Sequence, residues 1–416
     1  MSDSITPEEA PLQDAAARLA SLEPADVTLA APGCLTLDAV RAALAAARDV
    51  AQHLPGLRVV LAYPEAVVGN PAIDLGGASV QAIPWRLSAT SRPSLAAGDG
   101  RDAFLPLSTL GTQVSARACA LVGAHPDAVS PETISRLVRP ILDGQADVLL
   151  PCYPRHRLEG LINTGIVYPL MRSLYGRQAD GQLGVDFGLS PRMVAALVQP
   201  APRNSRGGPV WLLPEAVERG FTVGQAYLPA WLPPAEESAD VSSSLTQVLG
   251  SLLTDLELHA TTWQRVRGSR PVPGFGEPAT VADERRPVDV RSMVESFQLG
   301  FRNLREVWAR VLPPATVVAL GRLAQAPADQ FRMPDDLWAR IIFDVALGFR
   351  LRTINRDHLL RAMTPVYLGW AASFVLDVSD AERGTVRHRV EDLCLAYESQ
   401  KPYLLARWRW PDRFAP

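Results

Sequence analysis

Lysine is almost missing from this chain. The 416 residues carry 41 basic side chains, and only Lys401 is a lysine; the others are arginine. A Schiff-base or P-loop mechanism would have to use Lys401, yet Gln400-Lys401-Pro402 contains no Gly-rich loop. Cysteine is scarce as well. Cys34, Cys119, Cys152 and Cys394 lie far apart in apolar surroundings, and no C-x-x-C pair exists. That excludes a disulfide framework and a zinc ribbon. No sign of charge dominates: 41 basic against 44 acidic residues leaves a net charge of −3. Binding to nucleic acid by bulk phosphate attraction is therefore not expected. The acidic N-terminus lacks an apolar signal core, and the longest apolar run near the other end, Pro365 to Leu376, is too short to span a bilayer. A cytoplasmic protein without a membrane span is the expectation. Gly-x-Ser-x-Gly, His-Glu-x-x-His and Gly-x-Gly-x-x-Gly do not occur.

What is present is apolar material, 47% of the chain, enough for a sizeable core and a length suited to two domains. Residues 1–24 read as an N-terminal tail or a docking helix. From Asp26 short apolar runs alternate with helical spacing: strands at 27–30, 57–62, 79–83, 116–122 and 147–150, helices at 38–52 and 131–142. This alternation predicts an α/β domain over 25–240, with a mostly parallel sheet flanked by helices and function in the loops 31–37, 63–78 and 123–130 at the strands' carboxyl ends. Leu245, Val248, Leu249, Leu252, Leu253 and Leu256 then mark one helix face. A Pro/Gly/Arg-rich stretch at 268–287 reads as a loop. Beyond it only helices are expected, at 289–311, 315–325, 334–352, 355–376 and 380–408, making 245–416 an all-helical domain. Ser379 to Glu382 spells a capping box. Trp408-Arg409-Trp410 is read as packing a helix end onto its own domain, a binding surface being the alternative.

Residues 147–190 carry a more specific pattern. Arg155-His156, Gly160, Ile166, Tyr168-Pro169-Leu170, Arg172, Leu174-Tyr175-Gly176 and Asp186-Phe187-Gly188 occur in an ordered run. The run resembles the central segment of bacterial retaining glycosyltransferases of the GT-A fold that act on glycerate-type acceptors. These are the glucosylglycerate and mannosylglycerate synthases, with glucosyl-3-phosphoglycerate synthase more distant. Val129-Ser130-Pro131-Glu132, Gly220 to Val223, Leu245 to Leu253, Pro365 to Gly369 and Glu398 to Tyr403 extend the resemblance over nearly the whole chain from residue 25. It implies a GT-A sheet, a nucleotide-sugar donor, Mg²⁺ or Mn²⁺ if the protein is active, and a homodimer through the helical domain. Arg155, His156 and Glu159 would lie at the acceptor, and Asp186 at the donor sugar. Guanidinium suits the carboxylate or phosphate of such an acceptor.

The parts that would hold a metal-bridged diphosphate depart from that pattern. Gly123-Ala124-His125 stands where the family has Asp-x-Asp, so the sequence offers only His125 and Asp127 as substitute metal ligands. Leu228 to Pro234, with Pro233 in the stretch that should supply a ligating histidine, contains none. Pro209 replaces an acidic residue near the sugar, and Val185 replaces a pocket glycine. Two readings remain open. One is a pseudo-glycosyltransferase, acting as a scaffold, a small-anion sensor or a regulator of an active paralogue, with no cofactor. The other is an active retaining enzyme with a rebuilt metal site. Loss at several independent positions together favours the first.

Overall fold

The computed structural model describes residues 22–54, 56–67, 79–85, 104–122, 129–181, 183–197, 209–229, 241–279, 288–379 and 381–410. Within them, ten strands form: β1 Val27–Ala30, β2 Val59–Pro64, β3 Val80–Trp85, β4 Ala118–Leu121, β5 Val148–Cys152, β6 Arg177–Gln178, β7 Phe187–Leu189, β8 Val223–Tyr227, β9 Arg270–Pro271 and β10 Gly274–Phe275. Eight build one sheet in the order β10-β8-β5-β7-β4-β1-β2-β3; β6 and β9 pair separately. Every neighbour pair in the large sheet is parallel except those of β7, which runs antiparallel to both β4 and β5. The central strands are buried on both faces, which is why they read as unbroken apolar runs. Reversal of β7 has a positional consequence: the residue just before it, Asp186, lands at the same edge as the carboxyl ends of its neighbours.

Helices cover both faces of the sheet. On one side lie α1 (Leu37–His53) and α3 (Pro131–Leu142), packed over Val27, Leu29 and Ala120. Thr36 and Ser130 cap them, accepting from Ala39 N at 3.2 Å and Thr133 N at 3.1 Å. Between them in the chain, α2 (Leu105–Gln113) covers the other face. There it is joined by α4 (Tyr168–Tyr175), α5 (Pro191–Leu197) and α6 (Leu212–Glu218). The rest of the described chain is mainly helical: α7 Val241–Leu258, α8 Ala260–Trp263, α9 Val290–Ala309, α10 Pro314–Leu323, α11 Asp335–Leu351, α12 Arg356–Ala362, α13 Thr364–Val378 and α14 Arg383–Arg409. A single apolar cluster runs from Leu121 and Phe187 at the sheet to Trp338, Trp370 and Trp408 in these helices.

Three details differ from expectation. The stretch read as a loop holds β9 and β10, and β10 adds to the sheet edge with Gly274 opposite Gln225. The helix expected over 355–376 is broken at Met363, because Pro365 has no N–H to continue the ladder. No capping box forms at the last helix: it starts at Arg383 behind Glu382 without a side-chain cap, while Ser379 Oγ donates back to Val375 O at 2.5 Å. Taken together, Arg356–Val378 is long and apolar enough to cross a membrane, but 72% of its apolar window is buried inside the protein. Trp370 and Phe374, both fully buried, make it a core element of the helical region.

Candidate functional site

A cleft of roughly 670 Å³ opens at the carboxyl ends of β5 and β8. One wall is the segment after β5, from Tyr153 to Thr164. The helical region also lines the cleft, with Phe374 of α13 and Val386, Arg387 and Val390 of α14. A π-helical turn, Asn163–Val167, leads from the cleft into α4. Such turns are often found at functional sites. Here the turn is clamped: Gly165 O accepts from Trp338 Nε1 at 2.8 Å and from Tyr397 Oη at 2.9 Å.

The structure brings Arg155, His156 and Glu159 together in this cleft. They form one tight turn. Glu159 N donates to His156 O at 3.0 Å, and His156 N donates to Glu159 Oε2 at 3.2 Å. His156 Nδ1 accepts from Leu158 N at 3.3 Å, so its remaining nitrogen is the one able to carry a proton. Arg155 Nη2 donates to Leu183 O at 3.0 Å, and its guanidinium lies 5.6 Å from the Tyr153 ring centre. Gly160 sits at φ +67°, and a Cβ there would fall 2.7 Å from Arg155 Nη1. The glycine thus makes room for the guanidinium. The arrangement suits a small carboxylate or phosphate.

Asp186 reaches the same sheet edge but not the cleft. Tyr153 lines the cleft, and its hydroxyl donates to Asp186 Oδ2 at 2.5 Å. The same hydroxyl accepts from Val185 N at 3.4 Å and Asp186 N at 3.2 Å. Asp186 is 1% exposed. Burial, and then the Asp186 charge, push the Tyr153 phenol well above its ordinary value, so it stays a donor. Burial and the same carboxylate push the Cys34 thiol up to about 11. Val185 is buried in the protein interior rather than facing the cleft. Gly184 has a packing role: a Cβ there would sit 2.1 Å from Pro151 Cγ.

Pro209 opens the short 3₁₀ turn Pro209–Trp211, and its side chain lies outside the described residues. Gly123, His125, Asp127 and Pro233 also lie outside them. Among the described residues no group of three or more His, Cys, Asp or Glu side chains could hold a metal ion.

Several cleft residues had no signal in the sequence. Asn163 Nδ2 donates to Asp180 O at 2.7 Å, and Gln225 Oε1 accepts from Asp180 N at 3.2 Å, tying β8 to the cleft floor. Cys152 borders the cleft, but burial, reinforced by Asp180, raises its thiol far above the range of a reactive cysteine. Arg387 arrives from a helix more than two hundred residues away, a juxtaposition that only tertiary packing creates. Other residues from the resembling run hold the fold instead. Arg172 is bidentate to Glu391 at 2.6 Å and donates to Glu398 at 2.8 Å. Lys401 Nζ donates to Ser173 O, Leu174 O and Val266 O at 2.8, 3.3 and 2.9 Å. The one lysine is a helix cap.

A scan against protein-family models and a search of curated proteins give no match to this chain.

Proposed function

We propose that this protein is a GT-A-type glycosyltransferase relative that has lost transfer and keeps the cleft to bind a small carboxylate or phosphate, as a scaffold or regulator of an active paralogue. The observation that carries this reading is the state of Asp186. The carboxylate that the resemblance aims at a donor sugar is 1% exposed and hydrogen-bonded to Tyr153, so it cannot touch a ligand in the cleft. Support for the ancestry comes from a large parallel sheet with one reversed strand, β7, followed by a helical region. Support for anion binding comes from Arg155 and Arg387, both lining the cleft. The helical region is the surface through which a second copy would pair.

Calorimetry with UDP- and GDP-glucose and the corresponding mannose donors, each with and without Mn²⁺, tests the loss of transfer. No binding at millimolar donor is expected, together with no sugar transfer to glycerate. Binding of glycerate or phosphoglycerate that weakens at least tenfold in Arg155→Gln is expected. Metal-dependent donor binding at millimolar strength or tighter would sink the proposal and establish the active enzyme in its place.

A further inference from the structure

The two-residue ladder between β6 and β9 places Arg177 directly opposite Arg270. Partners across a ladder project to the same side, about 5 Å apart at the backbone, and like charges in that relation destabilise a sheet. No carboxylate relieves them among the described residues. Arg177 Nη1 donates to the carbonyl of Gly176 at 3.2 Å, and among the described residues the Arg270 side chain has no acceptor. The surrounding chain adds charge of the same sign. From His259 to Gly276 there is no acidic residue, while Arg265, Arg267 and Arg270 all lie there, each exposed.

Helix capping does not account for this cluster. The carbonyls at the end of α4 are already served by the Lys401 ammonium, which also grips Val266 O and so pins the arginine-bearing loop against the helix end. Glu398, close by across Ser269, is already engaged: its Oε1 accepts from Arg172 Nε at 2.8 Å and from Ser269 Oγ at 2.6 Å. Burial and the neighbouring Arg270 hold the Arg177 guanidinium below its ordinary value, the signature of a cation lacking a counter-charge.

Strand alternation separates this cluster from the cleft. Gln178, next to Arg177 on β6, lines the cleft and donates to Ser269 Oγ at 3.0 Å. Arg177 and Arg270 take the opposite side of the ladder. We propose that Arg177 and Arg270 form a second anion site for a phosphoryl group, distinct from the cleft, with Arg267 adding positive charge three residues before Arg270 in the chain. Two adjacent planar forks match the several oxygens of a diphosphate better than a single carboxylate.

The test is thermal unfolding and calorimetry of the full chain with inorganic phosphate, pyrophosphate and glycerate. Pyrophosphate at ten times its dissociation constant is expected to raise Tm by about 2 °C, with weaker binding of phosphate. Arg270→Gln should weaken pyrophosphate at least tenfold while raising Tm slightly without anion, because a repulsion is removed. Arg155→Gln, in the cleft, should leave pyrophosphate binding unchanged. A lower Tm for Arg270→Gln without anion, with pyrophosphate binding intact, would mark the arginines as structural and overturn the site. So would pyrophosphate binding lost in Arg155→Gln but kept in Arg270→Gln, or none at all.

Discussion

Asp344 shows how one residue can set a pH response. It is fully buried between α11 and α14, where Oδ1 accepts from Tyr403 Oη at 2.7 Å and lies 3.4 Å from Arg407 Nε. Burial outweighs these partners and raises the carboxyl to about 6. The unfolded chain ionises this group near its ordinary value of about 3.9, while the folded chain still holds the proton. Its contribution to stability is therefore full below about pH 4 and is lost as pH rises through about 6, on the order of 3 kcal/mol. Subtracting the denaturation profile of Asp344→Asn from that of the wild type between about pH 4 and pH 7 should expose this slope; a flat difference would refute it. Residue roles of this kind were only partly legible. Arg155 and His156 stood out because they fall in the run that carries the family resemblance and a guanidinium suits a small anion. Asp186 stood out too, but its tie to Tyr153 depends on the reversal of β7, which no local pattern states. Lys401 drew notice by its rarity, yet the three carbonyls it caps come from segments more than a hundred residues away.

Elements were easier to read than residues where a local rule governs them. Helix α3 runs over Pro131–Leu142, the limits its sequence predicts, because Ser130 supplies the cap and Pro131 the first turn. Strands β1 and β4 were legible from their apolar runs. Elements that exist only through partners were not: β10 is two residues long and forms against β8, so its Pro/Gly-rich sequence reads as loop. The π-turn at Asn163–Val167 belongs to the same class. Its shape depends on Trp338 and Tyr397 donating to Gly165 O and on Trp370 lying against Gly165. A Cβ at Gly165 would fall 2.3 Å from the Trp370 ring, which is fully buried and cannot retreat. Gly165→Ala should thus destabilise the protein by about 1–3 kcal/mol. Urea denaturation would report it as a lower midpoint with an unchanged slope. An unshifted midpoint would mean that the turn and the tryptophan are not packed as described.

At the scale of the molecule, the expected division into 25–240 and 245–416 separates two architectures but not two cores. One apolar cluster crosses from the sheet into the helices, and β10 returns to the sheet after α7 and α8 have left it. Polar ties cross as well. Arg157 Nη1 donates to Val378 O at 3.0 Å, and Arg172 joins α4 to Glu391 and Glu398 of α14. The side chain of Arg172 is 2% exposed, whereas those of its partners are 46% and 24% exposed. Removing the guanidinium would strand two partly solvated carboxylates, which costs less than breaking a fully buried pair. Arg172→Met should therefore lower stability by about 2–3 kcal/mol. Such a shared core predicts that the two regions unfold together. Far-ultraviolet dichroism, which follows the helices, and tryptophan fluorescence should give coincident transitions in the wild type. They should stay coincident at a lower midpoint in Arg172→Met. Fluorescence and dichroism separating in the wild type would show two independent units. The cleft would then lie at a boundary able to open, rather than between walls held by one core.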